Sequence, residues 1–151
     1  MLGLSNNLIS SSYVGFSNTY SLDFDGTNDY VDCGNDSSLD WGSGDGTVAC
    51  WFKTDDSGTS DIVMNGSYSG GGKNYALLVS AANKIIFGID DNGGSGAKSV
   101  TSGTSVNDDV WRHAVGVRDG NNLRLYIDGV EDAASPTDIT GYGDIDISDN
   151  L

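Results

Sequence analysis

Apolar and polar residues alternate with a period of two along most of the chain, and a helical period of three to four is hard to find. In the run from Tyr20 to Asp25, Tyr20, Leu22 and Phe24 face one way while Ser21, Asp23 and Asp25 face the other. Asp25-Gly26 then turns the chain into a short strand at Tyr30–Asp32. From Thr47 to Lys53, Val48, Cys50 and Phe52 share one side and Trp51 occupies the other. Apolar residues on both sides predict a central strand covered on both faces.

Further strands are predicted at Ile62–Met64, Tyr75–Val79 and Lys84–Ile89, the last two joined through Ala81-Ala82-Asn83. Val110–Arg118 sets Trp111, His113, Val115 and Val117 on one face. Asp119–Asn122 closes a hairpin into Leu123–Ile127, whose Leu123, Leu125 and Ile127 point to the core. Asp128-Gly129 is a two-residue turn signal, because a type I′ turn needs positive φ at both positions. Ile145 and Ile147 alternate with Asp144 and Asp146 in one more strand. Asp- and Gly-rich loops separate these pieces at 55–61, 65–74 and 90–96. Residues 1–19 are polar, uncharged and weakly apolar, as an arm or linker would be.

A length of 151 residues suits one domain with a real core. Gly numbers 22 and Pro 1, the balance of a chain with many tight turns and short strands. The predicted class is therefore all-β, a two-sheet antiparallel sandwich spanning 20–151. No apolar run reaches membrane-spanning length, so no membrane insertion is expected. The opening Met1–Ile9 lacks the basic and apolar regions of a conventional signal peptide. An extracellular destination would then use another route, such as release within a virion.

The formal net charge is −15, which makes nucleic acid a poor partner. The seven cations, Lys53, Lys73, Lys84, Lys98, Arg112, Arg118 and Arg124, are scattered along the chain. Nearly all the acid is Asp, suited to turns and to loops that gather calcium ligands. Cys33 and Cys50 lie on neighbouring strand candidates and read either as small buried apolar groups or as a disulfide. Their spacing does not suit zinc.

Three patches together resemble the laminin-G-like, concanavalin-A-like jelly roll over residues 20 to 150. They are Ser21–Gly26 with Asp29–Val31 and Ser38–Asp40; Thr47–Lys53, similar to the family's T-[VI]-x-A-W-[VF]-[KR] strand; and Trp111–Gly120 followed by Leu123–Gly129, similar to W-x-H-[VA]-A-V-[TV]-x-D-G…L-x-L-Y-[VI]-D-G. Members of that family close with further strands, including a Gly-x-Ile-Asp-Glu-like segment beside the opening strand. Here the sequence ends at Asp149-Asn150-Leu151. The closing strand is expected from a longer polypeptide, from another copy or a different protein, or from the arm through Tyr13, Val14 and Phe16.

Sandwich glycanases of the superfamily resemble one another in two carboxylates on one strand, and retaining chemistry needs such a pair about 5 Å apart. Glu131 is the only glutamate, and Asp55-Asp56, Asp90-Asp91 and Asp108-Asp109 diverge as neighbours in loops. His113 is the only histidine. It falls where the resemblance implies a structural His on an inward-facing strand, and no Gly-x-Ser-x-Gly elbow precedes it. No enzymatic role is expected.

The resemblance implies a calcium ion near Asp25 and Asp29, against which stands the plain reading of Asp25-Gly26 as a turn. Trp41, Tyr68 and Tyr142 sit in polar, loop-like contexts and are the candidates for stacking on a sugar, in contrast to Trp51 and Trp111. The resemblance implies a recognition or adhesion module, outside a cell or on a virion, that binds glycans or a surface protein. The alternative is a structural virion decoration, fibre or tail protein bound to capsid or tail subunits or to copies of itself.

Overall fold

The computed structural model describes residues 19–34, 36–66, 74–91 and 96–145. The chain divides into two compact units, 1–33 and 34–151. In the first, residues 19–25 and 29–33 belong to no strand. Alternation at Tyr20–Asp25 gives a two-faced segment, but a strand exists only where its N–H and C=O groups find a ladder. Among the described residues none pairs with it.

Among its described residues the second unit carries a single-turn 3₁₀ helix at Ser37–Leu39 and nine strands. They are β1 (Gly46–Phe52), β2 (Ser60–Asn65), β3 (Asn74–Val79), β4 (Lys84–Asp90), β5 (Lys98–Ser105), β6 (Arg112–Asp119), β7 (Asn122–Ile127), β8 (Val130–Glu131) and β9 (Thr137–Asp138). One antiparallel sheet runs β1-β6-β7-β8, with β9 also on β7, and the other runs β2-β3-β4-β5. Turn chemistry behaves as the residues demand. Asp128 and Gly129 take φ of 52° and 81° between β7 and β8, and Asn83 takes 61° between β3 and β4.

The inner faces meet in one core. Val48 and Phe52 from β1, Ala114 from β6, and Leu123, Leu125 and Ile127 from β7 face Tyr75, Leu77 and Val79 from β3, Ile85, Phe87 and Ile89 from β4, and Val100 from β5. Each large side chain fully buried here contributes about 1.5–3 kcal/mol. β5 was not expected. Its sequence Lys-Ser-Val-Thr-Ser-Gly-Thr-Ser is polar because it closes an edge and buries only Val100 and Ser102.

Two expectations are corrected. β1 is an edge strand, paired with β6 alone among the described residues, and Trp51 on its outer side is 66% exposed. On β6 the residues facing the core are Ala114, Gly116 and Arg118, so His113, Val115 and Val117 lie on the outer face of the sheet. The reason is Phe87. Its ring occupies the space over Gly116, where an added Cβ would come within 2.3 Å of it. The segment after Gly141 runs to Ile145 without a ladder, although the Ile145 side chain is buried and its N–H bonds the Gly42 carbonyl. Ile147 lies outside the described residues.

Candidate functional site

The outer face of the β1-β6-β7 sheet combines apolar width with a dense set of charged groups. Its parity follows from the ladders. Trp51 stands opposite His113, Ala49 opposite Val115, and Val115 opposite Tyr126. Trp51 and His113 touch ring to ring, centroids 5.0 Å apart and planes inclined by 31°. Lys53 and Trp111 directly adjoin the last ladder pair, Phe52↔Arg112, at the same end of β1 and β6. Past that pair the Asp109 N–H bonds the Thr54 carbonyl, one residue out of the ladder's register, with Asp109 at a φ of 55°. Trp111 is 47% exposed. Trp51 and His113 thus share one end of the face, with the exposed Trp111 one residue before β6.

Charged groups gather at that end of the strands, where Arg112 itself has the core-facing parity of Phe52 and Ala114. The Arg112 guanidinium bridges Asp108 and Asp128, at 3.0 Å to the latter, and the second oxygen of Asp128 accepts the His113 backbone N–H at 2.9 Å. That backbone hydrogen bond, followed by the Arg112 contact, holds the Asp128 carboxyl below its ordinary range. Asp108 is lowered chiefly by its hydrogen bond from Arg112, which in turn is raised by Asp108 and Asp128. Lys53 pairs with Asp109 at 2.8 Å. Further along, Arg124 bridges Asp119 at 3.1 Å and Glu131 at 2.9 Å. Glu131 also accepts the Ser135 hydroxyl, the leading cause of its lowered value. Glu131 is engaged with a cation and a hydroxyl.

The residues singled out from sequence lie elsewhere. The Trp41 ring is half-buried against the core, stacked on Tyr75 at 4.2 Å and 10° and tilted against Phe87 at 6.3 Å. Gly46 passes so close that a Cβ there would sit 2.1 Å from the indole. Tyr142 also packs on the core, and its hydroxyl accepts the Asp91 N–H at 3.0 Å and reaches the Gly96 carbonyl at 2.7 Å and the Ile89 carbonyl at 3.1 Å. Tyr68 lies outside the described residues. Asp25 and Asp29 meet in the first unit. Asp25 accepts the Thr27 N–H at 2.8 Å, and Asp29 accepts the Asp25 N–H at 2.9 Å, so both carboxylates brace the turn at Gly26. Among the described residues, no three His, Cys, Asp or Glu side chains are placed to hold a metal ion. The exposed pair Trp51 and Trp111 was missed. Its available signal was parity, since Trp51 opposes Val48, Cys50 and Phe52 along β1.

A family model for laminin G, described as the concanavalin A-like lectin/glucanases superfamily, matches residues 25–146. The chain belongs to that superfamily. Two antiparallel sheets, of five and four strands, agree with its jelly-roll sandwich. No curated protein matches the chain in sequence. Among solved structures, domains LG4-5 of the mouse laminin alpha1 chain superpose with a TM-score of 0.56 at 16% identity, covering 68% of this chain and 26% of that one. The CBM40 of Ruminococcus gnavus IT-sialidase bound to alpha2,3 sialyllactose gives 0.54 at 18%, covering 73% and 60%. Its alpha2,6 sialyllactose complex gives 0.53 at 17%, covering 73% and 61%. This member of the superfamily therefore spans about a quarter of the laminin chain and three-fifths of the CBM40 chains. At these identities the likeness is one of fold. No helix among the described residues is long and apolar enough to cross a membrane.

Proposed function

We propose that this superfamily member is a non-catalytic carbohydrate-recognition module, acting outside a cell or on a virion surface, whose sugar rests on the Trp51–Trp111 end of the outer sheet face. The observation that carries the reading is the exposure of Trp51 on the outer sheet face against His113, with the exposed Trp111 next to β6 and an ordered guanidinium–carboxylate network at the same strand end. Indole faces are electron-rich and accept the C–H groups of a pyranose, while fixed carboxylate oxygens accept its hydroxyls. The CBM40 neighbours, crystallised with sialyllactose, support a sugar as the ligand class. Trp41 and Tyr142 serve packing in this reading, and their sugar-facing role is set aside in favour of Trp51 and Trp111.

The test is a glycan array probed with the wild type, Trp51→Ala and Trp111→Ala, each checked for unchanged circular dichroism. Binding that falls at least about tenfold in both variants, a loss of roughly 1.4 kcal/mol, supports the platform. Binding that both variants keep, or an array with no wild-type signal, rejects it.

A second reading, a decoration, fibre or tail subunit, draws on one observation: β1 pairs on one side only among the described residues. A neighbouring subunit's strand would complete that edge. Sedimentation analysis decides it. A concentration-independent monomer rejects self-pairing, whereas an assembly broken by Ala49→Pro supports it.

A further inference from the structure

We infer that the ligand of the Trp51–Trp111 face is an uncharged, hydroxyl-rich sugar and not an acidic one. The inference rests on the recognition reading above and names the substrate class for that site.

Five ion pairs tie the three cations of β6, β7 and the residue after β1 to five carboxylates. Lys53 holds Asp109, Arg112 holds Asp108 and Asp128, and Arg124 holds Asp119 and Glu131. These paired groups together carry two excess negative charges, within a chain whose formal net charge is −15. A carboxylated or sulfated sugar would have to share each cation with an acceptor it already holds and would enter a repulsive field. Arg112 is the costliest to recruit. Both of its terminal nitrogens are engaged, and the Asp128 it would release stays tied to the His113 N–H.

No other cation is positioned to help among the described residues. Lys84 lies on β4 and donates to the Gly103 carbonyl, Lys98 lies on β5, and both belong to the opposite sheet. Arg118 is 2% exposed on the inner face and is taken up by backbone carbonyls. A neutral sugar meets none of these obstacles. Its C–H face needs only the indoles, and its hydroxyls are donors to the neighbouring carboxylate oxygens. The sialyllactose-bound CBM40 neighbours share the fold and only 17–18% of the sequence, so their acidic ligand does not carry over with the fold.

The test uses the whole chain on an array of matched neutral glycans and their sialylated, uronate-bearing and sulfated counterparts, with Trp51→Ala alongside. Titrations of the strongest hit follow between about 0.05 and 0.5 M sodium chloride. The expected result is neutral hits at least about tenfold stronger than their acidic counterparts, lost in Trp51→Ala and changed less than about twofold by salt. Acidic hits lost in Trp51→Ala overturn this inference and leave the platform standing. Hits indifferent to Trp51→Ala, or no hits, overturn both.

Discussion

Phe87 on β4 and Gly116 on β6 interlock across the sandwich, the ring filling the space where a β-carbon on residue 116 would lie 2.3 Å from its Cδ2. This contact decides which side of β6 is inside. It also makes Gly116 a position where size, not backbone freedom, is constrained. Gly116→Val therefore destabilises by overpacking, by about 1–3 kcal/mol or more. Phe87→Ala leaves a cavity and costs about 3–5 kcal/mol. Urea denaturation of both variants measures these values, and the pair Gly116→Val with Phe87→Leu recovers part of the loss if the clash is the cause.

How much of this was legible in the sequence follows from the same contact. Alternation along β6 separates Trp111, His113, Val115 and Val117 from Ala114, Gly116 and Arg118, and it marks the first set as the more apolar. The structure buries the second set, because one glycine accepts a phenylalanine from another sheet and the arginine is absorbed by loop carbonyls. Neither fact is local. The strands of the hairpins were legible for the opposite reason, since Asp128-Gly129 and Asn83 carry their turn geometry in their own residue types. Trp41 shows the limit most plainly. Its neighbours Asp40 and Gly42 suggest an exposed loop, yet its ring stacks on Tyr75, 34 positions away in sequence.

Arg118 and Tyr142 bind the loops at one end of the sandwich together. The guanidinium donates to the carbonyls of Gly42 and Gly143, both at 3.0 Å, and of Tyr142 at 3.4 Å. Arg118→Met keeps the apolar stem and strands those acceptors, for a loss of about 2–4 kcal/mol. Tyr142→Phe removes the hydroxyl that serves Asp91, Gly96 and Ile89, for about 1–3 kcal/mol. Both variants lower the thermal midpoint and leave glycan affinity unchanged at a temperature where they are folded. A Tyr142→Phe protein of full stability and reduced sugar binding would return Tyr142 to the binding site.

Acid acts on the carboxylates that hold backbone and side-chain donors. Asp36 is lowered chiefly by the Ser38 N–H, Asp56 by the Gly58 N–H, Asp138 by Thr140 and Asp128 by the His113 N–H, while Asp108 leans on Arg112. A carboxylate held below its unfolded value of about 4 takes up its proton less readily in the folded chain. Its contribution is complete above that value and disappears as pH falls through the folded one. The charge of −15 works in the other direction, since protonation and salt both relieve repulsion. In about 0.5 M salt, which screens the repulsion, the thermal midpoint holds from pH 7 to about 5 and falls below about 4. At pH 7 it rises with added salt. A midpoint that climbs toward pH 3 at high salt would show that the hydrogen-bonded carboxylates contribute little.

The two cysteines are free, Cys33 exposed and Cys50 half-buried on the inner side of β1. Burial pushes the Cys50 thiol up to about 11. The thiolate is the nucleophile, so at pH 8 only about one part in a thousand of Cys50 is reactive even before steric shielding is counted. A disulfide reagent added to the folded protein at pH 8 therefore modifies one thiol per chain within seconds to minutes and the second only on unfolding. Cys33→Ser removes the fast phase and keeps the slow one. Two fast thiols would mean that the β1 edge opens readily, and no reactive thiol before or after denaturation would mean that the cysteines had joined in a disulfide.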